Sequence, residues 1–388
     1  MSTTALLLLA AGAVGHMVLW VALINRVHAL GIARRWVNLA TLLFLAALTF
    51  GPLLLLFALV TQKPEQSFSL FAPSIAWLYV DACVVVCVVS TIQRLLWWLH
   101  AERSSAGSSN RATSVRSPDK SKSLVSPGVP AWLCRLPGNQ VLDIHVQEKE
   151  ITIPRLAPAH DGLRIAHLTD LHISGRLTQA FFEHVVEEVN RSNPDIVAIT
   201  GDIVEGNKFI DWLPPTLGKL KSHYGCFYIL GNHDRHATEA RLKETLAAIG
   251  LIHVGNNWQQ IVVNDVPLLV AGNELPWYKP AADLSNCGRR EADRATRVLL
   301  AHSPDQFAWA RANEIDLMMA GHLHGGQIRL PLVGAITSPS IYGVRYAAGV
   351  FQAGNTVMHV SRGVGALTPL RINCPPEIAI LILRAAKR

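Results

Sequence analysis

The chain has 388 residues, half of them hydrophobic and 16% charged, with a net charge of +7. Its mean hydropathy of +0.26 excludes a disordered chain, and the massing of apolar residues in the first hundred excludes a uniformly soluble one. Much of the basic surplus sits beside or just after those apolar runs, at Arg26, Arg34, Arg35, Arg94, Arg103, Arg111, Arg116, Lys120 and Lys122. Such placement sets membrane topology or meets anionic headgroups more often than it binds nucleic acid.

Thr4–Ile24, Asn38–Val60 and Ile75–Leu99 each reach the roughly 20 apolar residues that a helix needs to cross a bilayer. Residues 1–100 therefore read as a membrane anchor of three transmembrane helices. The first run has no basic leader and two more spans follow, so it is not a cleaved signal. Arg26, Arg34 and Arg35 lie between the first two spans, only Lys63 lies between the second and third, and basic residues follow the third. This bias puts the N-terminus outside and everything after about residue 100 in the cytoplasm. Six scattered cysteines without a C-x-x-C pair agree with a reducing compartment. Within the spans, Asp81 is expected to reach the interface or a neighbouring helix. His16 is expected to make a helix–helix hydrogen bond, and Trp97 and Trp98 to anchor at the interface.

Residues 101–138, crowded with Ser, Arg, Lys, Gly and Pro, read as a disordered basic linker. From residue 139 onward strands and helices alternate. Val141–Ile153 has a two-residue period. Leu163–Leu168, Ile196–Thr200, Cys226–Leu230, Val298–Ala301 and Leu317–Ala320 are short apolar runs of buried-strand type. Thr178–Ser192, His236–Ile249 and Pro304–Asn313 read as helices. Asn264-Asp265 joins two strands as a hairpin, and Thr356–Ser361 and Glu377–Leu383 close the domain. The expected architecture is layered α/β, with sheets packed face to face.

Chemistry-bearing residues gather where these strands end. Asp170 and His172 follow the first run and Asp202 the second. Asn232, His233 and Asp234 follow the third, His302 the fourth, and His322 and His324 the fifth. Ligands collect at the carboxyl ends of strands in open α/β sheets, and adjacent glycines permit close backbone approach. Asp, Asn and His offer mixed oxygen and nitrogen donors without thiolate, which suits Mn, Fe or Zn as catalytic divalent ions. Seven donors for two ions require a shared one, and Asp202 is suited to bridge.

The ordered motifs D-x-H, G-D, G-N-H-D, a lone H and G-H-x-H make the chain from about Val141 onward resemble the calcineurin-like metallophosphoesterase superfamily. The run GHLHGGQIRL, the loop Ser361–Gly365 and Cys374-Pro375-Pro376-Glu377 bring it nearest the membrane-associated bacterial subgroup. The resemblance implies an α/β/β/α sandwich over 139–388. It implies one metal held by Asp170, His172, Asp202 and His324, and a second by Asp202, Asn232, His302 and His322. It makes His233 an acid that is not a ligand, with Asp234 either supporting the site or capping a helix. Arg362 is a candidate contact for substrate phosphate, alongside a purely structural role in its turn. Trp277-Tyr278 and Arg289-Arg290 are candidates for a substrate wall or lip, with a solvated loop the better reading of the two arginines.

The function this implies is hydrolysis of a phosphodiester, phosphomonoester or pyrophosphate by metal-activated water, with Mn2+ the expected ion. The anchor suggests work at the cytoplasmic face of a bacterial inner membrane, on a lipid-linked substrate. A phospho-ligand sensor or scaffold and a nuclease of the same superfamily are the rival readings.

Overall fold

In this computed structural model, residues 3–60, 72–99, 110–116, 124–287 and 295–386 are described. They form two units, Met1–Ala101 and Glu102–Arg388. The first consists of helices α1 (Thr3–His28), α2 (Arg34–Val60) and α3 (Ala72–Leu99). Each contains a stretch long and apolar enough to cross a membrane: Leu6–His28, Arg35–Leu54 and Trp77–Leu96. His16 joins all three helices, its Nδ1 2.6 Å from Tyr79 Oη on α3 and its Nε2 3.2 Å from the Leu48 carbonyl oxygen on α2. A Cβ added at Gly15 would lie 1.7 Å from the Cys83 carbonyl oxygen, so α1 and α3 meet backbone to backbone there. Asp81 is exposed on α3. The side chains of Trp97 and Trp98, and the whole of Arg289-Arg290, lie outside the described residues.

The second unit stacks two sheets. One has the order β1-β2-β15-β3-β4-β5-β6, and the other, edged by β13 (Gly349–Ala353), the order β13-β14-β10-β9-β8-β7. In the first, β3 (Arg164–Leu168), β4 (Ile196–Thr200), β5 (Cys226–Ile229) and β6 (Leu251–His253) run parallel. In the second, β8 (Val266–Asn273), β9 (Thr296–Ala301), β10 (Leu317–Ala320) and β14 (Thr356–Val360) do the same. β15 (Glu377–Ala385) lies between β2 (Ile144–Ile153) and β3. The pattern within β4 explains the layering. Ile196 and Ala198 face the second sheet, in a core shared with Leu268, Val298, Leu317 and Val357. Val197 and Ile199 face α5 (Gln179–Arg191) and α6 (Glu239–Ala248), with Phe182, Val186 and Leu242. Both faces are buried, so the strand is continuously apolar. On the far side, α7 (Phe307–Ala312) packs Phe307 and Ala310 against Met318 and Met358. The result is the expected α/β/β/α sandwich. The hairpin of β7 (Trp258–Val263) and β8 also forms as expected, with Asn264 and Asp265 both at positive φ.

Part of the segment expected to be a disordered linker is folded. Asn110–Arg116 forms β1 and pairs antiparallel with β2. Leu124 is buried in the helix-side core. α4 (Val129–Cys134) is tied down by Asn139, whose amide donates to the carbonyls of Leu133 at 2.9 Å and Pro369 at 2.8 Å. A sheet edge offers unpaired N–H and C=O groups to any strand, so low hydrophobicity did not prevent pairing. Residues 101–109 and 117–123 lie outside the described residues.

A polar chain crosses the apolar layer between the sheets. Lys149 of β2 bonds Glu377 of β15, and its Nζ lies 3.0 Å from Nε2 of His359 on β14. His359 Nδ1 is 2.9 Å from His167 Nδ1 on β3, and His167 Nε2 is 2.9 Å from Thr200 Oγ1. Burial lowers His167 to about 3. Burial, and then the charge of Lys149, also lowers His359, so both rings are neutral. Removing one member of a buried ion pair strands the other. Lys149→Met should therefore cost about 3–5 kcal/mol, read as a lower unfolding midpoint of the detergent-solubilised chain. The double variant Lys149→Met/Glu377→Leu should recover part of that loss, and a single variant as stable as the parent would count against this coupling.

Candidate metal centre

Strand ends of both sheets deliver the expected ligands to one place. Asp170 and His172 follow β3, Asp202 follows β4 and Asn232 follows β5. His302 follows β9, and His322 and His324 follow β10. Asp170, His172, Asp202, His302 and His322 are buried. Three compact donor groups result: Asp170–His172–His324, Asp202–His302–His322 and, at their edge, His172–Glu205–His233.

The backbone makes this convergence possible. Asp170, His172, Asp202, His322 and His324 all have positive φ, between 44° and 70°. Non-glycine residues seldom adopt this conformation, at a cost of order 1–3 kcal/mol each, and it clusters at functional sites. The glycines beside them leave no room for a side chain. A Cβ at Gly231 would lie 2.3 Å from Asp202 Oδ1, and one at Gly321 2.5 Å from Asp170 Oδ2.

Hydrogen bonds fix which ring nitrogens face inward. His302 Nδ1 donates to the Thr200 carbonyl at 2.6 Å, leaving Nε2 3.2 Å from both Asn232 Oδ1 and Asp202 Oδ2. His172 Nδ1 donates to Glu205 Oε1 at 2.6 Å, and its Nε2 points to Asp202 Oδ2 at 3.7 Å and Asp170 Oδ1 at 3.9 Å. His172 Nε2 and His324 Nε2 stand 2.9 Å apart. Outer partners of this kind select the tautomer that leaves Nε2 as a donor to metal.

These residues fit a pair of divalent cations. His322 Nε2 is buried with no hydrogen-bond partner among the described residues. Imidazole nitrogens and two carboxylates share a buried space that a cation would make favourable. Burial, followed by the charge of His302, holds His322 well below the usual histidine value. Burial, followed by His172 and Arg371, does the same for His324. Both rings stay neutral, the state in which an imidazole can bind metal.

His233 borders the Asp170 and Asp202 groups and shares the third with His172 and Glu205. Its backbone N–H donates to Asp202 Oδ1 at 2.8 Å, and its Nδ1 lies 3.1 Å from Glu205 Oε2. Glu205 also lies 3.2 Å from His236 Nδ1. Burial opposes ionisation of Glu205, but bonds to His172 and His233 outweigh it and hold the carboxyl at about 2. Asp234 accepts from the backbone N–H of Ile203, Val204 and Gly231 at 2.8–3.0 Å. It braces the loops after β4 and β5 against each other. Arg362 lies beside the metal loop, its Cγ close to Gly325, with its Nε 3.3 Å from Glu377 rather than among the converging donors. Trp277 packs against the rings of His322 and His302, with centroids 4.8 and 5.3 Å away, as a wall of the site.

Two residues escaped the sequence reading. Glu205 was legible in the spacing Asp202-x-x-Glu205, which sets a second carboxylate on the same loop. Arg371 gave no signal. It is fully buried, donates to the carbonyls of Arg362, Gly363, Gly365 and Cys374, and comes within 3.3 Å of His324 Nδ1.

A calcineurin-like phosphoesterase family model matches residues 163–326. The chain is 31% identical over 247 residues to metallophosphoesterase YkuE of Bacillus subtilis, covering 62% of this chain and 86% of that protein. It is 33% identical over 231 residues to Phosphodiesterase YaeI of Escherichia coli, covering 57% and 82%. A transmembrane protein with metallophosphoesterase domain from Danio rerio is 26% identical over 396 residues, covering 96% of this chain and 87% of that protein. The chain belongs to the calcineurin-like phosphoesterase family, and is a metal-dependent hydrolase with membrane-span candidates at its N-terminal end.

The metal-free site makes a pH-dependent prediction. Burial opposes a charge on His302, but the Asp202 carboxylate outweighs it and raises the ring to about 9. Below that pH a metal must displace the proton, so affinity should rise with pH. For one proton, Mn2+ affinity should gain about tenfold per pH unit between roughly 6.5 and 8.5. Calorimetry in buffers of different ionisation enthalpy should show the released proton, and a pH-independent affinity would contradict the assignment.

Proposed function

We propose that this chain is a membrane-anchored phosphodiesterase acting at the cytoplasmic surface of a bacterial inner membrane, with a lipid-linked phosphoester or pyrophosphate as substrate and Mn2+ as its metal. The observation that carries the catalytic part is the meeting of two donor groups around Asp202, with His233 at their edge. The basic flanks of the apolar helices and the free cysteines support the cytoplasmic side.

Two divalent cations, when bound, supply positive charge for the phosphoryl oxygens and lower the pKa of an attacking water. Asp170, His172, Asp202 and His324 would hold one, and Asp202, Asn232, His302 and His322 the other. The protein's own contribution begins with the burial of these donors, which strengthens every charge interaction within the site. Glu205 stays ionised and accepts a hydrogen bond from His233 Nδ1–H, which fixes the ring and directs its other nitrogen to the departing oxygen. Asp202 fixes the same residue through its backbone N–H. Trp277 supplies an apolar wall on the His322 side, and Asp234 keeps the Asp202 and His233 loops in register.

A panel of phosphate monoesters, diesters, pyrophosphates and single-stranded DNA with Mn2+, run beside Asp202→Ala, tests the reaction class. Hydrolysis of none of them by a chain that binds two Mn2+ would favour a phospho-ligand sensor, and preference for DNA a nuclease. His233→Asn should lower kcat about 10²–10⁴-fold on alkyl diesters, and much less on p-nitrophenyl diesters, whose leaving group needs no proton. Glu205→Gln should lose about 10–100-fold. Equal losses of the His233 variant on both leaving groups would remove it as the acid.

A further inference from the structure

Six of the large apolar side chains exposed in the second unit lie between residues 328 and 341. They are Ile328, Leu330, Leu332, Val333, Ile336 and Ile341, with Leu332 fully exposed. Beyond this stretch the exposed large apolar residues described in the unit are Val129, Trp132 and Val262. Concentrated exposure of this kind marks an interaction surface, whereas scattered apolar residues do not.

The stretch is built around a short hairpin of β11 (Arg329–Leu330) and β12 (Gly334–Ala335). Its base is fixed on the metal loop. A Cβ at Gly326 would lie 2.4 Å from Ala335 Cβ, and Arg329 donates to the Gly325 carbonyl at 3.2 Å. Its tip projects. Leu332 has φ of +63°, where glycine or asparagine is the easier residue, yet the sequence places leucine there. The exposed Val129 and Trp132 belong to α4, which is connected to the hairpin through Ile372, a bridge partner of both Asn139 and Ile328.

We propose that this hairpin inserts into the surface of an anionic lipid bilayer, beside the catalytic loop. Three observations select a bilayer over another protein. The projecting turn presents an apolar point, with no flat face for a second chain. No Asp or Glu occurs between Asp316 and Glu377, while Arg329 and Arg345, neither of them buried, do. An acid-free segment with basic residues suits anionic headgroups, and apolar side chains beside it suit the acyl boundary. A bilayer is also close at hand. The apolar helices end at Leu99 and the second unit's first strand begins at Asn110, a tether that spans at most about 40 Å.

The test uses the full chain with Cys87 and Cys134, the two cysteines that are not fully buried, replaced by serine. A polarity-sensitive fluorophore is attached at Leu332→Cys, or at Val262→Cys as the exposed apolar control. Each protein is reconstituted in phosphatidylglycerol–phosphatidylethanolamine vesicles with or without brominated acyl chains, after its unfolding midpoint has been matched to the parent. The expected result is quenching of the label at 332 by more than about half, with the label at 262 unaffected. No quenching at 332, or equal quenching at both positions, overturns the proposal. Disulfide formation between two 332 cysteines without quenching also overturns it, and assigns the hairpin to a second copy of the chain. None of these readouts depends on turnover, so the surface and the phosphodiesterase reading stand or fall separately.

Discussion

Asp170 and Asp202 are buried around one histidine, His172. Two carboxylates cannot remain ionised there without compensation, because the lost hydration of each is worth several kcal/mol. In the protein alone, imidazole rings and backbone N–H groups provide part of it. His322 N–H donates to Asp170, His233 N–H donates to Asp202, and the His302 imidazolium pairs with Asp202. The rest is left to cations. This requirement orders everything near the site: which tautomers the histidines adopt, why the flanking residues are glycine, and why the ligands tolerate left-handed backbone.

The strain at these ligands is sustained by packing that has no other outlet. Asp234 uses both carboxylate oxygens on three backbone N–H groups from two loops. Arg371 uses its guanidinium on four carbonyls and approaches His324. Each replaces water for backbone groups that would otherwise be buried unsatisfied. The two play mirrored parts. The carboxyl group gathers donors on the loops of the first sheet, and the guanidinium gathers acceptors on the last loops of the domain.

The seven candidate ligands and His233 could be picked out in the sequence because metal chemistry restricts residue type, and strand ends restrict position. Short apolar runs gave β4 and β10 to the residue, since both faces of those strands are buried. The helix expected from His236 begins at Glu239, because Asp234–His236 is first occupied by a tight turn beside the site. β1 and β6 were not visible. Their pairing is decided by a neighbouring edge, and no periodicity of their own announces it. Arg371, and the chain from Lys149 through His359 and His167 to Thr200, were invisible for a related reason. A polar residue buried by contacts with other loops and strands, 210 positions away for Lys149 and His359, looks like a solvated one until the topology joins them.

That topology also divides the site by charge. Asp170, Asp202, Glu205 and Asp234 all come from loops of the first sheet. The second sheet contributes His302, and then His322, His324 and Arg362 from a segment between Asp316 and Glu377 that has no acid between its ends. The sheets are joined through an apolar layer that is indifferent to small sliding movements, since hydrophobic burial has no direction. Directional contacts must therefore set their register. Arg155–Asp316, Lys149–His359 and the Thr200–His302 bond provide some of them, and a metal shared by Asp202 and His322 would provide the most exacting one. On this view the cations belong to the architecture as well as to the reaction, because the carboxylates of one sheet and the imidazoles of the other have no better common partner.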